Sequence, residues 1–345
     1  MVNLSVIQST SEFENLSTEW NNLLLKSASH VPFLRHEYLY NWWKTLGGGE
    51  WQNGELYIVQ AHNEQKQLIG IAPLFLTQNK LNERALKLLG SIEISDFLDF
   101  ITLPEYLDEF CQDLLHHLTS EPSLTWQSLE LDNILDSSPT IQALEVSASK
   151  LGLTIHQEQL QHSPYIPLPE DWETYLGTLD KKQRHEIRRK IRRLEESGIS
   201  YRWYIVEDEK NLPDEVESLF DLMAFEPQKN AFLTPDMRKQ MFLTIQAAFN
   251  HHWLQLAFLE IEDKKAAAYL NFDCGNRIWV YNSGINPEFN PYSPGWVLLS
   301  YLIQWAIDHH RQTFDFMRGN EDYKYRFGGI DRFIKRITIS HSLLK

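Results

Sequence analysis

The chain has 345 residues, 43% hydrophobic and 12% aromatic, enough for one large or two ordinary packed domains and too apolar for a disordered chain. A net charge of −15 argues against general nucleic-acid affinity, DNA included. Two distant cysteines, a start (MVNLSVIQST) without a charged-then-apolar signal pattern, and no long apolar run give the expectation of a soluble cytoplasmic protein in a reducing compartment.

The first half opens with the short alternating run VNLSVIQ. A helix is predicted over 11–27, with Phe13, Leu16, Trp20, Leu23 and Leu24 on one face, and a second over 36–46 after Pro32. Strands follow at ELYIVQ (55–60), LIGIAPLFLT (68–77) and, after a less regular stretch, SDFLDFI (95–101). Pro104 opens a helix with Leu107, Phe110, Cys111, Leu114, Leu115 and Leu118 at helical spacing. Strand SLELDNI (128–134), a helix from Ser138–Pro139 and strand LTIH (153–156) complete the half. HSPYIPLP (162–169), with three prolines, reads as the joint.

The second half repeats the order. Strand YRWYIV (201–206) precedes helices near 213–226 and 235–250, then strands WLQLAFLEI (253–261), AAAYLNFD (266–273) and RIWVYNSG (277–284). A hydrophobic helix fills 294–310, followed by strand TFDFM (313–317) and a last strand FIKRITI (333–339). The expectation is an α/β protein of two similar domains, 1–165 and 166–345, each a mixed, mostly antiparallel sheet flanked by helices.

Four segments carry chemistry. Residues 181–193, KKQRHEIRRKIRR, hold eight basic residues and one acidic, leaving 24 basic against 46 acidic residues elsewhere. Capped by Asp180 and ended by Gly198, this helix is expected to cluster Leu176, Ile187, Ile191 and Leu194 on one narrow face and its cations on the rest, Arg188 and Arg192 among them. It is a solubilising face or a contact with phosphate, on a nucleotide carrier, a tRNA backbone or an anionic membrane surface. In SPGW (293–296), Ser293 can cap a helix, Pro294 suits its first turn and Gly295 admits a close neighbour; the free amides there can hold a pyrophosphate, or simply begin an ordinary helix. Asp96 and Asp99, spaced i, i+3, can take a proton from an amine or form a turn cap.

The densest segment is FDFMRGNEDYKYRFGG (314–329). Asp315, Arg318 and Arg326 are candidate substrate contacts. Lys324 can stabilise a developing oxyanion, and Tyr323 or Tyr325 can protonate a leaving thiolate. The plainer alternative is a structural loop in which Lys324 and Arg326 pair with acids. Three His-His pairs, at 116–117, 251–252 and 309–310, lack metal-ligand spacing, and no metal is expected.

The element order resembles the GNAT acyltransferase fold, and its doubling resembles the tandem-GNAT proteins. The sequence also resembles the CelD-type acetyltransferases associated with bacterial polysaccharide synthesis. The matching pieces are PFLRHEYLYNWW (32–43), LIGIAPLFL (68–76), SDFLDF (95–100), DWETYLGTLDKKQRHEIRRKIRRLEESG (171–198), SPGWVLLSYLIQWA (293–306) and the 314–329 segment. Tyr323, Lys324, Phe327 and Gly328 resemble the Phe-Lys-x-x-Phe-Gly pattern of the FemABX-type transferases, with Tyr for the first Phe. The resemblance implies acyl transfer from acetyl-CoA or another acyl-CoA to an amine on a small or lipid-linked acceptor, in polysaccharide or cell-envelope synthesis, with Lys324 at the acyl carbonyl. Its alternatives are aminoacyl transfer from charged tRNA to a peptidoglycan-like precursor, and a non-catalytic scaffold binding a synthase or the inner face of a membrane.

Overall fold

The computed structural model describes residues 2–341. The chain divides into two compact units, residues 1–161 with 333–345, and residues 162–332.

Unit 1 contains β1 (Asn3–Ile7), α1 (Thr10–Asn15), α2 (Ser17–Leu24), α3 (His36–Gly49), β2 (Glu55–His62), β3 (Leu68–Gln78), β4 (Arg84–Leu88), β5 (Ile101–Thr102), α4 (Leu107–Ser120), β6 (Ser128–Leu135), α5 (Pro139–Lys150) and β7 (Leu153–His162). β2, β3 and β4 form an antiparallel meander, α4 crosses over, and β6 returns parallel to β4. The apolar face of α4 predicted from its spacing is the buried one. Gly70 of β3 lets that helix approach, since a Cβ there would lie 2.7 Å from the Phe110 ring.

Unit 2 contains β8 (Tyr165–Pro167), α6 (Trp172–Thr178), α7 (Lys181–Glu195), β9 (Tyr201–Ile205), α8 (Leu212–Ala224), α9 (Pro227–Phe232), α10 (Pro235–Asn250), β10 (Leu254–Ile261), β11 (Lys264–Cys274), β12 (Arg277–Ile285), α11 (Pro294–Asp308), β13 (Thr313–Asp315) and α12 (Asp322–Arg326). The same device recurs: β10, β11 and β12 form a meander, α11 crosses over, and β13 returns parallel to β12. The sheet order is β8-β13-β12-β11-β10-β9. α11 is apolar nearly all round because it is covered twice, by the sheet on one side and by Leu176, Ile187 and Leu194 of α6 and α7 on the other. Gly284 lets α8 close on β12, where a Cβ would stand 2.5 Å from the backbone of Leu222.

Three expectations need correction. The last strand, β14 (Phe333–His341), does not belong with the second half: it pairs antiparallel with β6 and completes the sheet of unit 1, in the order β1-β2-β3-β4-β6-β14-β7 with β5 on β3. Its alternating burial lets Ile334, Ile337 and Ile339 fill that core. The third strand of the first meander is RALKL, not SDFLDFI, of which only Ile101 joins the sheet. Residues 95–100 are buried without strand pairing, so they look like a strand in composition alone. Ser293, the expected side-chain cap, makes no such bond and takes a left-handed conformation (φ 54°).

Candidate active site

A parallel pair whose strands part offers a cleft at its open end, and each unit has such a pair, β4 with β6 and β12 with β13. In unit 1, β4 pairs with β6 only through Ala85–Lys87 and Ser128–Glu130. Past the end of β4 the chain folds back on β6: Leu98 N–H donates to the Asn133 carbonyl (2.9 Å), and Asn133 Nδ2 donates to the carbonyls of Ile92 and Ser95 (both 2.7 Å). Ile94, Phe97, Leu98 and Phe100 of this segment are buried. The segment is a plug, and it carries Asp96 and Asp99. One Asp99 oxygen accepts from Phe100 N–H (2.7 Å) and the other from Ser138 Oγ (2.6 Å) and Ser29 Oγ. Burial pushes the Asp99 carboxyl up, against the pull of these donors. Asp99 therefore ties the plug to the cap of α5, the structural alternative named for it, and Asp96 is buried beside it.

In unit 2, β12 pairs with β13 only through Arg277–Trp279 and Thr313–Asp315, and β12 then runs on to Ile285. Here the first turn of α11, Tyr269 of β11 and Tyr323 of α12 come together. Tyr269 Oη reaches the Gly295 carbonyl at 3.4 Å. Burial pushes the Tyr323 phenol well above its ordinary range, and the neighbouring Tyr269 and Glu321 push the same way. Its ring packs edge-on against Phe316 (5.9 Å). Tyr323 is thus a protonated, inward-facing hydroxyl. Tyr325, two residues on, faces outward, 36% exposed, and donates to Asp331 (3.2 Å).

Cations ring the start of α11. Lys190 Nζ lies 3.9 Å above the Trp296 ring, a cation–π contact. Burial holds the Lys190 ammonium below the ordinary lysine range; Glu186 opposes this, and the Arg189 and Arg326 guanidiniums add to it. Arg193 donates to the Pro291 carbonyl (2.8 Å) just ahead of the helix. A Cβ at Gly295 would meet the tip of the Ile285 side chain at 2.5 Å, and that exposed side chain would have to swing aside. The Ser293 carbonyl receives the Trp296 and Val297 amides (3.0 and 3.1 Å). A groove of about 340 Å³ opens at the end of β12, with Phe225, Lys229, Ser283 and Ile285 in its walls.

Lys324 is buried, and its three hydrogens are taken: by the Arg318 carbonyl (2.5 Å), the Gly319 carbonyl (3.2 Å) and Glu321 (2.9 Å). As folded, the ammonium has none to offer an acyl carbonyl; it clamps the loop after β13. Asp315 is fully buried, paired with Arg332 and Arg277 and accepting from Met317 N–H (3.0 Å), so it organises the strand end. Arg326 pairs with Asp322 (2.5 Å) and Arg188 with Glu173 (2.5 Å). Arg192 lies with Lys181, Lys182, His185 and Arg189 around a trough of about 960 Å³ on the outer face of α7. The sequence reading missed Tyr269, which follows three alanines in β11, and the stacking of Lys190 on Trp296, whose partners are 106 positions apart and share no local motif.

Residues 181–325 match the model of the acetyltransferase (GNAT) domain, from the first residue of α7 into α12. This places an acyltransferase domain of the GNAT type in unit 2. The whole chain superposes on the crystal structure of FemX with a TM-score of 0.65 and 11% identity, over 97% of this chain and 96% of that one. The C-terminal domain of a putative lysylphosphatidylglycerol synthetase from Agrobacterium fabrum follows it with a TM-score of 0.57 and 9% identity, over 96% and 92% of the two chains. L-PGS from Bacillus licheniformis gives 0.55 and 10%, over 95% and 92%. At such identities these likenesses establish the two-domain fold. No curated protein matches the sequence.

Proposed function

We propose that unit 2 transfers an acyl group from an acyl-CoA-type thioester to an amine, with Tyr323 as the acid for the leaving thiolate. The observation that supports this most directly is the meeting of Tyr323, Tyr269 and the first turn of α11 where β12 and β13 part, ringed by Lys190, Arg193 and Arg326. The cations and the positive end of α11 suit a pyrophosphate, and the apolar walls at Phe225 and Ile285 suit the acyl arm. Backbone N–H groups of β12 beyond Trp279, on the edge that β13 leaves, are the donors we assign to the oxyanion, in place of Lys324. The acceptor we favour is an amino sugar of a cell-envelope or polysaccharide precursor, following the CelD-type resemblance. Because the corresponding cleft of unit 1 is filled by its own chain, the donor belongs to unit 2.

The test is thiol release from acetyl-CoA in the presence of amino sugars, with Tyr323→Phe beside the wild type. Loss of one general acid lowers kcat by about 10²–10⁴-fold. Acetyl-CoA affinity should hold within a few-fold. A Tyr323→Phe enzyme with wild-type kcat would remove the acid from this scheme.

The second reading is aminoacyl transfer from charged tRNA. It is favoured by the exposed cationic trough of α7, whose Lys181, Lys182 and Arg192 have no carboxylate partner among the described ion pairs. Reversing these three charges should abolish tRNA binding in a filter assay and leave acetyl-CoA binding unchanged if tRNA is the donor. A scaffold at a membrane surface predicts instead that the same reversal releases the protein from anionic vesicles. No helix among the described residues is long and apolar enough to cross a membrane.

A further inference from the structure

Amide formation needs a base as well as an acid, and with Asp99 locked in the plug of unit 1 the base must come from elsewhere. Unit 2 begins and ends with a matched pair. His162 Nδ1 lies 2.6 Å from Asp331 Oδ2, and Tyr325 donates its hydroxyl to the other oxygen, Oδ1, at 3.2 Å. A carboxylate only accepts, so Nδ1 carries the proton of the neutral ring and Nε2 carries the lone pair. The two side chains are 40% and 32% exposed, within reach of a solute.

The pair also stands at the right end of the sheet. The backbone from His162 to Tyr165 runs along the exit of β13: Gly319 N–H donates to the His162 carbonyl (2.9 Å), Phe316 N–H to the Pro164 carbonyl (3.0 Å), and Asp315 faces Tyr165 in the ladder. That exit is where β12 and β13 part, and it is the loop that Lys324 clamps from the other side. α12 joins the two halves of the chemistry. Tyr323 and Tyr325 are two residues apart, about 200° around a helix, so one faces Phe316 and Tyr269 while the other faces Asp331. Aminolysis of a thioester asks for that division, with the amine losing its proton on one side of the carbonyl and the thiolate gaining one on the other.

We propose that His162, oriented by Asp331 and Tyr325, is the general base that deprotonates the acceptor amine. This rests on the acyl-transfer reading of unit 2. The amine lone pair forms the C–N bond and the carbonyl π electrons move to oxygen. The amine proton passes to His162 Nε2. The C–S bond then breaks, its electron pair leaves on sulfur, and Tyr323 supplies the proton that makes the thiol. Proton return from His162 to the Tyr323 phenolate through solvent closes the cycle. His162 is the catalytic residue here; Asp331 and Tyr325 are positioning residues. The charged partner of the imidazole is Asp331, which it shares with the Tyr325 phenol; the guanidinium of the next residue, Arg332, is spent on Asp315 and the Ser163 carbonyl.

The experiment compares wild type, His162→Gln and Asp331→Asn in the full chain, with acetyl-CoA as donor and either glucosamine or hydroxylamine as acceptor. With glucosamine, which is largely protonated at neutral pH, His162→Gln should lower kcat by about 10²–10⁴-fold. Hydroxylamine, already neutral, should lose far less, a contrast that a misfolded site would not produce. Acetyl-CoA binding should stay within two-fold in both variants, showing that the unit is folded. Asp331→Asn should lose less than His162→Gln, because the imidazole stays and only its orienting partner goes, and the loss should fall on kcat with KM little changed. His162→Gln turnover within two-fold of wild type overturns the base assignment while Tyr323 stands. A wild type that releases no thiol with either amine overturns the acyl-transfer reading, and the base with it.

Discussion

Replacing Lys324 by methionine distinguishes a clamp from a catalytic cation, because the two roles predict different losses. Methionine keeps the apolar stem in its buried site and removes only the ammonium. Two acceptors, the Arg318 and Gly319 carbonyls, are then left under the α12 segment without their donor. Each buried unsatisfied group costs about 1–3 kcal/mol. Glu321 is 58% exposed, so water replaces the ammonium there and its share is about 0–1 kcal/mol. Removing a buried charge returns part of the cost, leaving an expected loss of about 2–4 kcal/mol. The assay is calorimetry, together with hydrogen exchange followed on the peptide spanning 316–330. The melting transition should fall by about 5–15 °C, and exchange should quicken in that peptide before it does elsewhere. A direct oxyanion role predicts the reverse pattern, a loss of about 10²–10³ in kcat with unchanged melting and exchange. That result would refute the clamp and restore Lys324 to the acyl carbonyl.

Two further substitutions probe the frame around the sites. Gly284→Ala forces a methyl against the Leu222 and Met223 backbone at 2.5–2.6 Å, and neither atom can swing aside; chemical denaturation should show a loss of about 1–3 kcal/mol. Asp99→Asn should leave kcat within a few-fold of wild type and change the pH dependence of stability. The folded-state pKa of Asp99 is raised above 3.8, so between 3.8 and that value the folded chain alone keeps the proton, and wild type loses stability as pH rises through this window. The Asn variant lacks that slope, and parallel stability curves for the two proteins would contradict it.

The doubled meander was legible because its signals are local. The apolar stripe of α4, the apolar runs of β2 and β3, and the proline-rich joint at 162–169 are each short-range signals. Sequence patterns mislead where the pairing partners are remote. Nothing in FIKRITI says that it crosses back to β6, about 200 residues earlier, and nothing in SDFLDFI says that its aromatics fill a cleft without joining a sheet. The site shows the same divide. The 314–329 segment stands out by density, and the structure sorts its members by direction, with Tyr323 and Lys324 inward and Tyr325 and Arg326 outward. Side-chain direction on a five-residue helix depends on where the loop before it lands, and that depends on tertiary contacts that no window of sequence contains.

The asymmetry between the units follows from what each chain places beyond its short parallel pair. Both pairs span three residues, 85–87 with 128–130 and 277–279 with 313–315, so the backbone offers the same opening twice. In unit 1 the next residues are apolar and long enough to return: Ile94, Phe97, Leu98 and Phe100 bury themselves, and Asn133, in a left-handed conformation (φ 62°), donates to the Ile92 and Ser95 carbonyls of the same segment. In unit 2 the chain leaving β12 does not fold back. It goes through Pro287 and Pro291 into α11, and proline has no N–H with which to bond along a strand edge. β13 stops pairing with β12 at Trp279, and the helix start arrives beside that edge with its own positive end. On the acyl-transfer reading proposed above, a chain with one opening filled by aromatics and the other bordered by prolines, tyrosines and cations offers an anionic thioester one place. Unplugging unit 1 by Phe97→Ala should therefore cost about 3–5 kcal/mol of stability without adding a second acetyl-CoA site by calorimetric titration.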